Sequence, residues 1–270
     1  SQKGGSGKTT LCGQLAIQAD LDGMGPVALI DTDPQGSLSD WWNARTAETP
    51  MFVQTDVECL ADTLEELRAT GVKLVFIDTQ PTVTNVIRDI VNCSDLVVIP
   101  TRPSPHDLRA VGPTLDLVEQ CGKLIVFAVN CATRRARITG DTAVALSQHG
   151  TVAPVTVHNR TDFATSMIDG RAVMEIKPDS PSSKEIGALW NYLNARLNRL
   201  DRPRTEILFG VSRKAPEIQS EETSEASPGA FSALDETAPG WTPGINPGAE
   251  RHAPSSFGRR AVPASNHAGV

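Results

Sequence analysis

A glycine-rich turn at the start of the chain constrains its fold more than any other feature. Residues 1–10 read SQKGGSGKTT, so three glycines precede a lysine and two threonines. Glycine lets successive backbone N–H groups point inward at phosphate oxygens, and a helix predicted to follow adds its positive N-terminal end. The turn is therefore predicted to bind nucleotide phosphates. The predicted binding residues are Gly4, Gly5, Ser6, Gly7, Lys8, Thr9 and Thr10.

This turn departs from the usual phosphate-loop pattern, G-x-x-x-x-G-K-[ST], at its first position. Counted back from the Gly-Lys-Thr triplet, the leading glycine falls on Gln2, and a second lysine, Lys3, follows it. Lys8 is predicted to reach the β- and γ-phosphates, Thr9 to ligate Mg²⁺ and Thr10 to bond the α-phosphate. The alternative, a flexible Gly/Ser-rich terminus, does not explain the acidic residues downstream.

Three aspartates follow two apolar runs that are typical of buried strands. Asp31 and Asp33 lie at the end of VALIDTD, and Asp78 lies at the end of LVFID. Carboxylates at C-terminal strand ends line the crevice where open α/β sheets bind ligands. We predict that Thr9, Asp31 and Asp78 hold Mg²⁺ and that Asp33 orients the attacking water. The alternatives are that Asp78 caps a turn and that Asp33 only forms the turn before Pro34.

Short apolar runs alternate with amphipathic segments through the first 200 residues. The runs are rich in Val and Ile, as in strands buried on both faces of a parallel sheet. They fall at 25–33, 72–79, 95–101, 123–130 and 152–157. Helical patterns fall at 9–23, at 62–70 with Asp62 as its cap, and at 107–122. This alternation predicts a doubly wound, mostly parallel α/β sheet of the P-loop NTPase class.

A phosphate loop needs a strand in front of it, and this sequence begins at the loop. In a doubly wound sheet that strand is a central one. We therefore expect a first strand upstream of Ser1, missing from this sequence, and an empty central slot with unpaired edges on both sides.

The character of the chain changes near Asp201. Residues 201–270 are rich in Pro, Gly, Ser and Glu and have few aliphatic side chains, so they bury too little apolar surface to offset chain entropy. The predicted organisation is a P-loop domain over 1–200 and a disordered tail over 201–270. An apolar stripe along 186–200 predicts a final helix that packs on the sheet, and a membrane-surface anchor is the alternative.

Composition excludes several classes of protein. The net charge of -7 excludes a uniformly basic coat for nucleic acid, although it permits a local patch. The five scattered cysteines form no C-x-x-C pair, which argues against a disulfide framework or a zinc site. No apolar run approaches the roughly 18 residues of a membrane span.

Three motifs together resemble one protein family. KGGSGKTT, DTDPQG and the apolar strand that ends in DTQP resemble the ParA family of partition ATPases, deviant Walker-A proteins of the MinD class, over about residues 1–197. The compact length resembles small plasmid members such as ParF. The resemblance implies that Lys3 crosses a dimer interface to the partner's ATP, with Lys3, Lys8 and Asp33 as catalytic residues. Gln80 departs from the family pattern, which usually has a small residue or proline there.

The same resemblance suggests further roles. Asn130 matches the position that reads adenine, and Pro154 lies in the matching base-lining segment. Arg160 and Arg171 are candidates for the dimer interface or for DNA. Asp107 belongs to a loop at the dimer face, with helix capping as the alternative.

The implied function is an ATP- and Mg²⁺-dependent dimerisation switch for plasmid or chromosome partition. It implies a homodimer bridged by ATP, a ParB- or ParG-like centromere-binding partner and a cytoplasmic, nucleoid-associated location in bacteria, with no membrane. Non-specific DNA would contact a basic patch, for which a solvated loop is the alternative. The candidate patch residues are Arg134, Arg135 and Arg137, together with Arg102, Arg109 and Arg160. A MinD-like membrane-associated positioning ATPase and a metabolic P-loop enzyme, such as a dethiobiotin-synthetase-like ligase, remain as other hypotheses.

Overall fold

Six strands alternate with helices in the computed structural model, which describes residues 5–80 and 85–200. The strands are β1 (Val27–Asp31), β2 (Met51–Phe52), β3 (Leu74–Asp78), β4 (Leu96–Thr101), β5 (Leu124–Ala132) and β6 (Thr151–His158). The helices are α1 (Lys8–Leu21), α2 (Ser37–Asn43), α3 (Leu60–Ala69), α4 (Asn85–Cys93), α5 (Pro105–Gln120), α6 (Arg137–Ser147), α7 (Thr161–Ser166), α8 (Val173–Ile176) and α9 (Pro181–Leu200), with a short 3₁₀ turn at Val57–Cys59. The predictions for Lys3, Gly4 and the tail at 201–270 lie outside the described residues.

The strands form two three-stranded sheets in which every pair is parallel. Their orders are β2-β1-β3 and β4-β5-β6. Each of the five apolar runs identified in the sequence coincides with one of these strands to within two residues at the ends of β5 and β6. Runs of Val and Ile without polar alternation suit a sheet with no solvent face. The predicted doubly wound α/β fold is confirmed.

Helices cover both faces of the sheets, as β5 illustrates. Val126 and Ala128 pack in the apolar cluster that contains α1 and α9. Phe127 and Val129, which point the other way, pack in a second cluster under α5 and α6. Successive side chains of a strand point to opposite faces, so a strand covered on both faces needs apolar side chains on both, as Val126 to Val129 show.

The final helix, α9, begins at Pro181, earlier than the predicted residue 186. Its stripe faces inward: Ile186, Leu189, Trp190 and Leu193 are all buried in the cluster with α1. Packing on the sheet is therefore confirmed for these four residues, whereas Leu200 at the end of the stripe is 41% exposed. Among the described helices, none is long and apolar enough to cross a membrane.

Two predicted helix caps lie elsewhere in the structure. Asp62 sits in the first turn of α3, whose N-cap is Cys59. The N-cap of α5 is Ser104, and its hydroxyl accepts a hydrogen bond from the backbone N–H of Asp107. Asp107 is thus the third residue of α5, where a carboxylate still favours the helix N-terminus.

A gap separates the two sheets between β3 and β4. No strand within the described ranges fills it, and a cavity of about 310 Å³ lies there, lined by the facing edges and by α1 and α9. Trp190 of α9 contacts Phe76 of β3 across a ring distance of 6.0 Å. Residues Leu74 to Ile77 of β3 are only half-buried, whereas Val27 to Ile30 of β1 are fully buried. This gap matches the open slot that the sequence predicted.

A strand supplied to this gap should stabilise the protein. We expect that six residues rich in Val and Ile, added upstream of Ser1, raise the melting temperature by at least about 5 °C. Burying two such side chains contributes about 3 kcal/mol or more, and a domain of this size shifts by roughly 2–4 °C per kcal/mol. Differential scanning calorimetry measures the shift. An upstream Gly/Ser segment of equal length is the control, and equal melting temperatures would contradict the prediction.

Candidate functional site

The turn that precedes α1 has the geometry of a phosphate-binding loop. Gly5 and Gly7 both have positive φ, at 87° and 85°, a conformation that side chains rarely adopt. α1 begins at Lys8, directly after Gly7, and the Leu11 N–H donates to the Gly7 carbonyl at 2.9 Å. The free N–H groups of the first turn of α1 therefore face the loop, where they favour an anion.

Asn130, near the end of β5, holds this turn in place. Its amide Nδ2 donates to the Ser6 carbonyl at 2.8 Å and is buried against Gly7, so that a Cβ at Gly7 would overlap it. Asn130 is only 4% exposed. One N–H of its amide is committed to the loop, so the predicted contact with adenine would fall to the second N–H or to the carbonyl oxygen.

Asp78, the last residue of β3, is a buried carboxylate with spare capacity. It is 2% exposed, its Oδ1 accepts from the Thr79 N–H at 3.0 Å, and its Oδ2 has no hydrogen-bond partner among residues 5–80 and 85–200. Burial raises the pKa of Asp78 to about 6, and Asp31 adds to the rise, while Thr9, Lys8 and the Thr79 amide oppose it. A buried carboxylate oxygen without a partner fits a hard cation such as Mg²⁺.

Lys8 lies close to the same carboxylates. Burial lowers its pKa from the usual value, while the negative charges of Asp78 and Asp33 partly offset that effect. Lysine and aspartates thus share one partly dehydrated pocket at the N-terminus of α1. The structure brings together Lys8, Thr9, Asp33 and Asp78, and their roles toward a nucleotide and Mg²⁺ stay predictions.

Asp31 bonds the backbone through both of its oxygens. Its Oδ1 accepts from the Asp33 N–H at 3.0 Å, and its Oδ2 accepts from the N–H groups of Leu38 and Ser39 at 3.0 Å each. It therefore caps α2 and fixes the 31–33 turn. These three amides occupy the Asp31 carboxylate, so Thr9 and Asp78 are the better supported part of the predicted Mg²⁺ set.

Asp33 forms the turn that its position before Pro34 suggested. Its Oδ1 accepts from the Gln35 N–H at 3.0 Å, and its carbonyl accepts from the Gly36 N–H at 2.8 Å. The second carboxylate oxygen has no hydrogen bond to a described residue. It is the atom through which the predicted contact with water would be made.

Pro154 lies apart from the phosphate loop. It is exposed in the middle of β6, an edge strand of its sheet, four residues before the strand ends at His158. An edge strand tolerates proline because its missing N–H needs no partner. The assignment of Pro154 to a base-lining segment stays a prediction.

The predicted basic residues separate into different environments. Arg134 and Arg135 are exposed on the turn between β5 and α6, and Arg137, the exposed first residue of α6, pairs with Asp141 at 3.9 Å. The Arg160 side chain is 16% exposed and is ion-paired with Glu185, which also bonds His158. Its guanidinium is therefore engaged by α9, and its role at the dimer interface or toward DNA stays a prediction.

The other candidate arginines also differ in exposure and partners. Arg171 is paired with Asp169 on the surface, and Arg109 is exposed on α5. Arg102 lies against the phosphate loop, in the wall of a cavity that Thr133 and Ile138 of the β5–α6 segment also line.

Sequence reasoning missed two polar contacts that support this region. Gln14, fully buried in α1, donates to the Ser166 hydroxyl at 3.0 Å and accepts from the Val173 N–H at 2.8 Å. Arg45 pairs with Glu175 at 2.6 Å and donates to the Gly170 carbonyl at 2.7 Å. The one sequence feature that indicates a buried contact of Gln14 is its position as a polar residue among the apolar positions of α1.

Comparison with known proteins identifies the family. The family model described as VirC1 protein matches residues 1–177. The chain belongs to the VirC1 family. This family is ParA-like, so the resemblance to the ParA class of P-loop ATPases is confirmed.

Two curated relatives and two solved structures agree with this assignment. The chain is 27% identical over 186 residues to the maintenance of carboxysome distribution protein A of Halothiobacillus neapolitanus, which covers 64% of this chain and 84% of that protein. It is 29% identical over 122 residues to protein ParA of Rhizobium radiobacter, covering 44% and 54% respectively. Among structures, apo McdA of Cyanothece has a TM-score of 0.60 at 15% identity, covering 73% of this chain and 96% of that one. The septum site-determining protein MinD of Pyrococcus horikoshii, complexed with Mg-ADP, has a TM-score of 0.59 at 14% identity, covering 73% of this chain and 94% of that one.

The buried carboxylate of this VirC1-family protein should make its stability depend on pH. The folded protein holds the Asp78 proton more tightly than the unfolded chain, because the pKa is raised to about 6 from 3.8. Without metal or nucleotide, stability should therefore fall as pH rises from about 4 to about 6. Asp78→Asn removes this loss, so the variant should exceed the parent by about 2–3 kcal/mol at pH 7 and match it below pH 4.

Urea unfolding in EDTA between pH 4 and pH 8 measures this difference. Asp116→Asn, on the exposed face of α5, is the matched control. Parallel stability curves for the parent and Asp78→Asn would contradict the prediction.

Proposed function

We propose that this protein is an Mg²⁺-dependent ATPase that dimerises on ATP and drives plasmid or chromosome partition. The observation that carries the proposal is a buried oxygen of Asp78, which has no hydrogen-bond partner in residues 5–80 and 85–200 and lies beside Lys8 and the N-terminus of α1. Such a carboxylate oxygen fits a cation, and the lysine with the helix N-terminus fits phosphates, so the site suits a metal–nucleotide pair. The VirC1 family match and the similarity to ParA and MinD proteins support the same class.

The residues of the chain have distinct tasks in this proposal. The N–H groups of the loop and the Lys8 ammonium would hold the phosphates, and Thr10 would bond the α-phosphate. Thr9 and Asp78 would hold Mg²⁺, which neutralises charge on the phosphates when bound. The free oxygen of Asp33 would orient a water for attack on the γ-phosphate. Asn130 would hold the loop geometry through its hydrogen bond to the Ser6 carbonyl.

Dimerisation rests on Lys3. Its ammonium would neutralise the ATP phosphates of the facing subunit, so that each triphosphate is shared by two chains and hydrolysis loosens the contact. Loss of the γ-phosphate lowers the negative charge of each bound nucleotide. The attraction between that nucleotide and Lys3 of the facing subunit would then weaken.

Replacement of single residues should separate binding, dimerisation and cleavage. Lys8→Ala should weaken ATP binding about 10- to 100-fold, because it removes a charged donor to phosphate. Lys3→Ala should spare most of the monomer's nucleotide affinity but abolish ATP-dependent dimers and hydrolysis. Asp33→Ala should bind ATP and Mg²⁺, remain dimeric and leave ATP uncleaved.

Light scattering with Mg-ATP, together with phosphate release, tests these expectations. ADP is the nucleotide control. The dimer proposal fails if Asp33→Ala stays monomeric at saturating ATP and Mg²⁺, in which case an ordinary nucleotide-binding enzyme takes its place.

DNA binding is part of the proposal. The exposed arginines Arg134, Arg135 and Arg137 supply a local positive surface on an otherwise acidic chain, and a dimer would present it twice. A centromere-binding partner of the ParB or ParG type would stimulate turnover, and the protein would act on the bacterial nucleoid. The name of the Halothiobacillus relative refers to carboxysome distribution, so a related cargo-positioning role is the second candidate.

The DNA hypothesis predicts a strong dependence on salt and nucleotide. Non-specific duplex should bind the Asp33→Ala protein with ATP and not with ADP, and its affinity should fall at least about tenfold between 50 and 200 mM salt. The triple variant Arg134→Ala, Arg135→Ala, Arg137→Ala should reduce both the affinity and its salt slope. Fluorescence anisotropy measures both quantities, and an affinity indifferent to salt and nucleotide would overturn this part.

A further inference from the structure

Arg102 stands at the edge of the phosphate loop. It is the first residue after β4, and its guanidinium faces the loop backbone at Gly5. A Cβ built on Gly5 would lie 3.5 Å from Nη1 and 3.8 Å from Nη2 of Arg102. A permanent positive charge therefore lies next to the predicted path of the phosphates.

A buried carboxylate aims this guanidinium. Arg102 Nε pairs with Asp107 Oδ1 at 3.2 Å, and Asp107 is 1% exposed. The Ser104 hydroxyl donates to Asp107 Oδ2 at 2.6 Å, so both oxygens of this carboxylate are fixed in the first turn of α5. The inner nitrogen of the arginine fork is thus anchored, which directs the outer two nitrogens toward the loop.

The outer nitrogens of Arg102 are available to a ligand. Neither Nη1 nor Nη2 donates a hydrogen bond to any residue in 5–80 or 85–200, and the side chain is 32% exposed. A cavity of about 330 Å³ adjoins them, with Arg102, Ser104, Asp107 and Cys131 in its wall. Two parallel N–H donors at an open cavity match two oxygens of a phosphate, the geometry that arginine binds best.

We infer that Arg102 binds a phosphate of the nucleotide held by the loop of its own chain, and that Asp107 is the positioning residue for Arg102. The inference rests on the proposed nucleotide site. It adds Arg102 to Lys8 as a second positively charged side chain of the same chain at that site. It also gives Arg102 a role different from the non-specific DNA contact that the sequence suggested.

Affinity for Mg-ATP tests the assignment. Arg102→Ala and Arg102→Gln should each weaken binding about tenfold, since a charge-assisted hydrogen bond is lost. Guanidinium chloride at a few millimolar should restore much of the affinity of Arg102→Ala, where the space is open, and not of Arg102→Gln, where it is filled. Arg68→Ala, on the exposed face of α3, should bind as the parent does.

A double-mutant cycle tests the positioning role of Asp107. Asp107→Asn should weaken Mg-ATP binding in the parent and add little in the Arg102→Ala background, because its effect runs through the arginine. A purely structural role would lower the affinity equally in both backgrounds. Calorimetric titration gives the affinities, and thermal unfolding of each variant checks that it is folded.

The outcomes distinguish this inference from the proposed function. If the parent binds Mg-ATP, Lys8→Ala loses binding and both Arg102 variants bind as tightly as the parent, the Arg102 assignment is overturned and the nucleotide site stands. If the parent does not bind Mg-ATP, both are overturned.

Discussion

The left-handed turn at Gly7 is the constraint on which the rest of the site depends. Its φ of 85° and the Asn130 amide packed against it leave space only for glycine. Because the turn ends there, α1 starts at Lys8 and its free N–H groups face the strand ends. Strands β3 and β5, which belong to different sheets, then bring Asp78 and Asn130 to the N-terminus of α1. One backbone conformation thus positions the lysine, the carboxylate and the helix dipole together.

Charge in this pocket is arranged for a ligand that carries both signs. Burial disfavours the charged form of Lys8 and of Asp78, and each partly restores the charge of the other. A phosphate and a cation that arrive together satisfy both groups, and neither group must then be left charged without a partner. The guanidinium of Arg102, whose Nη1 and Nη2 lie near Gly5, adds a further positive charge beside the loop.

Sequence patterns predicted the sheet well and the supporting contacts poorly. The Val/Ile runs located five strands, and the register that sets Asp31 beside Asp78 follows from both residues ending parallel strands. The start of α9 was placed late because its first turn, PSSKE, has no apolar stripe to reveal it. The contacts of Asn130 with the loop and of Arg102 with Gly5 join residues about a hundred positions apart. Such contacts depend on how strands lie in space, which no local pattern records.

Asp31 has a mechanical consequence. One carboxylate holds the backbone of Asp33 and the first turn of α2, and α2 carries Trp41 onto Gly13 of α1. The residue predicted to orient water and the helix behind it are therefore fastened by the same two oxygens. Any movement of the 31–33 turn must either carry α2 along or break at least one of these hydrogen bonds. The turn and α2 therefore move together as one rigid unit.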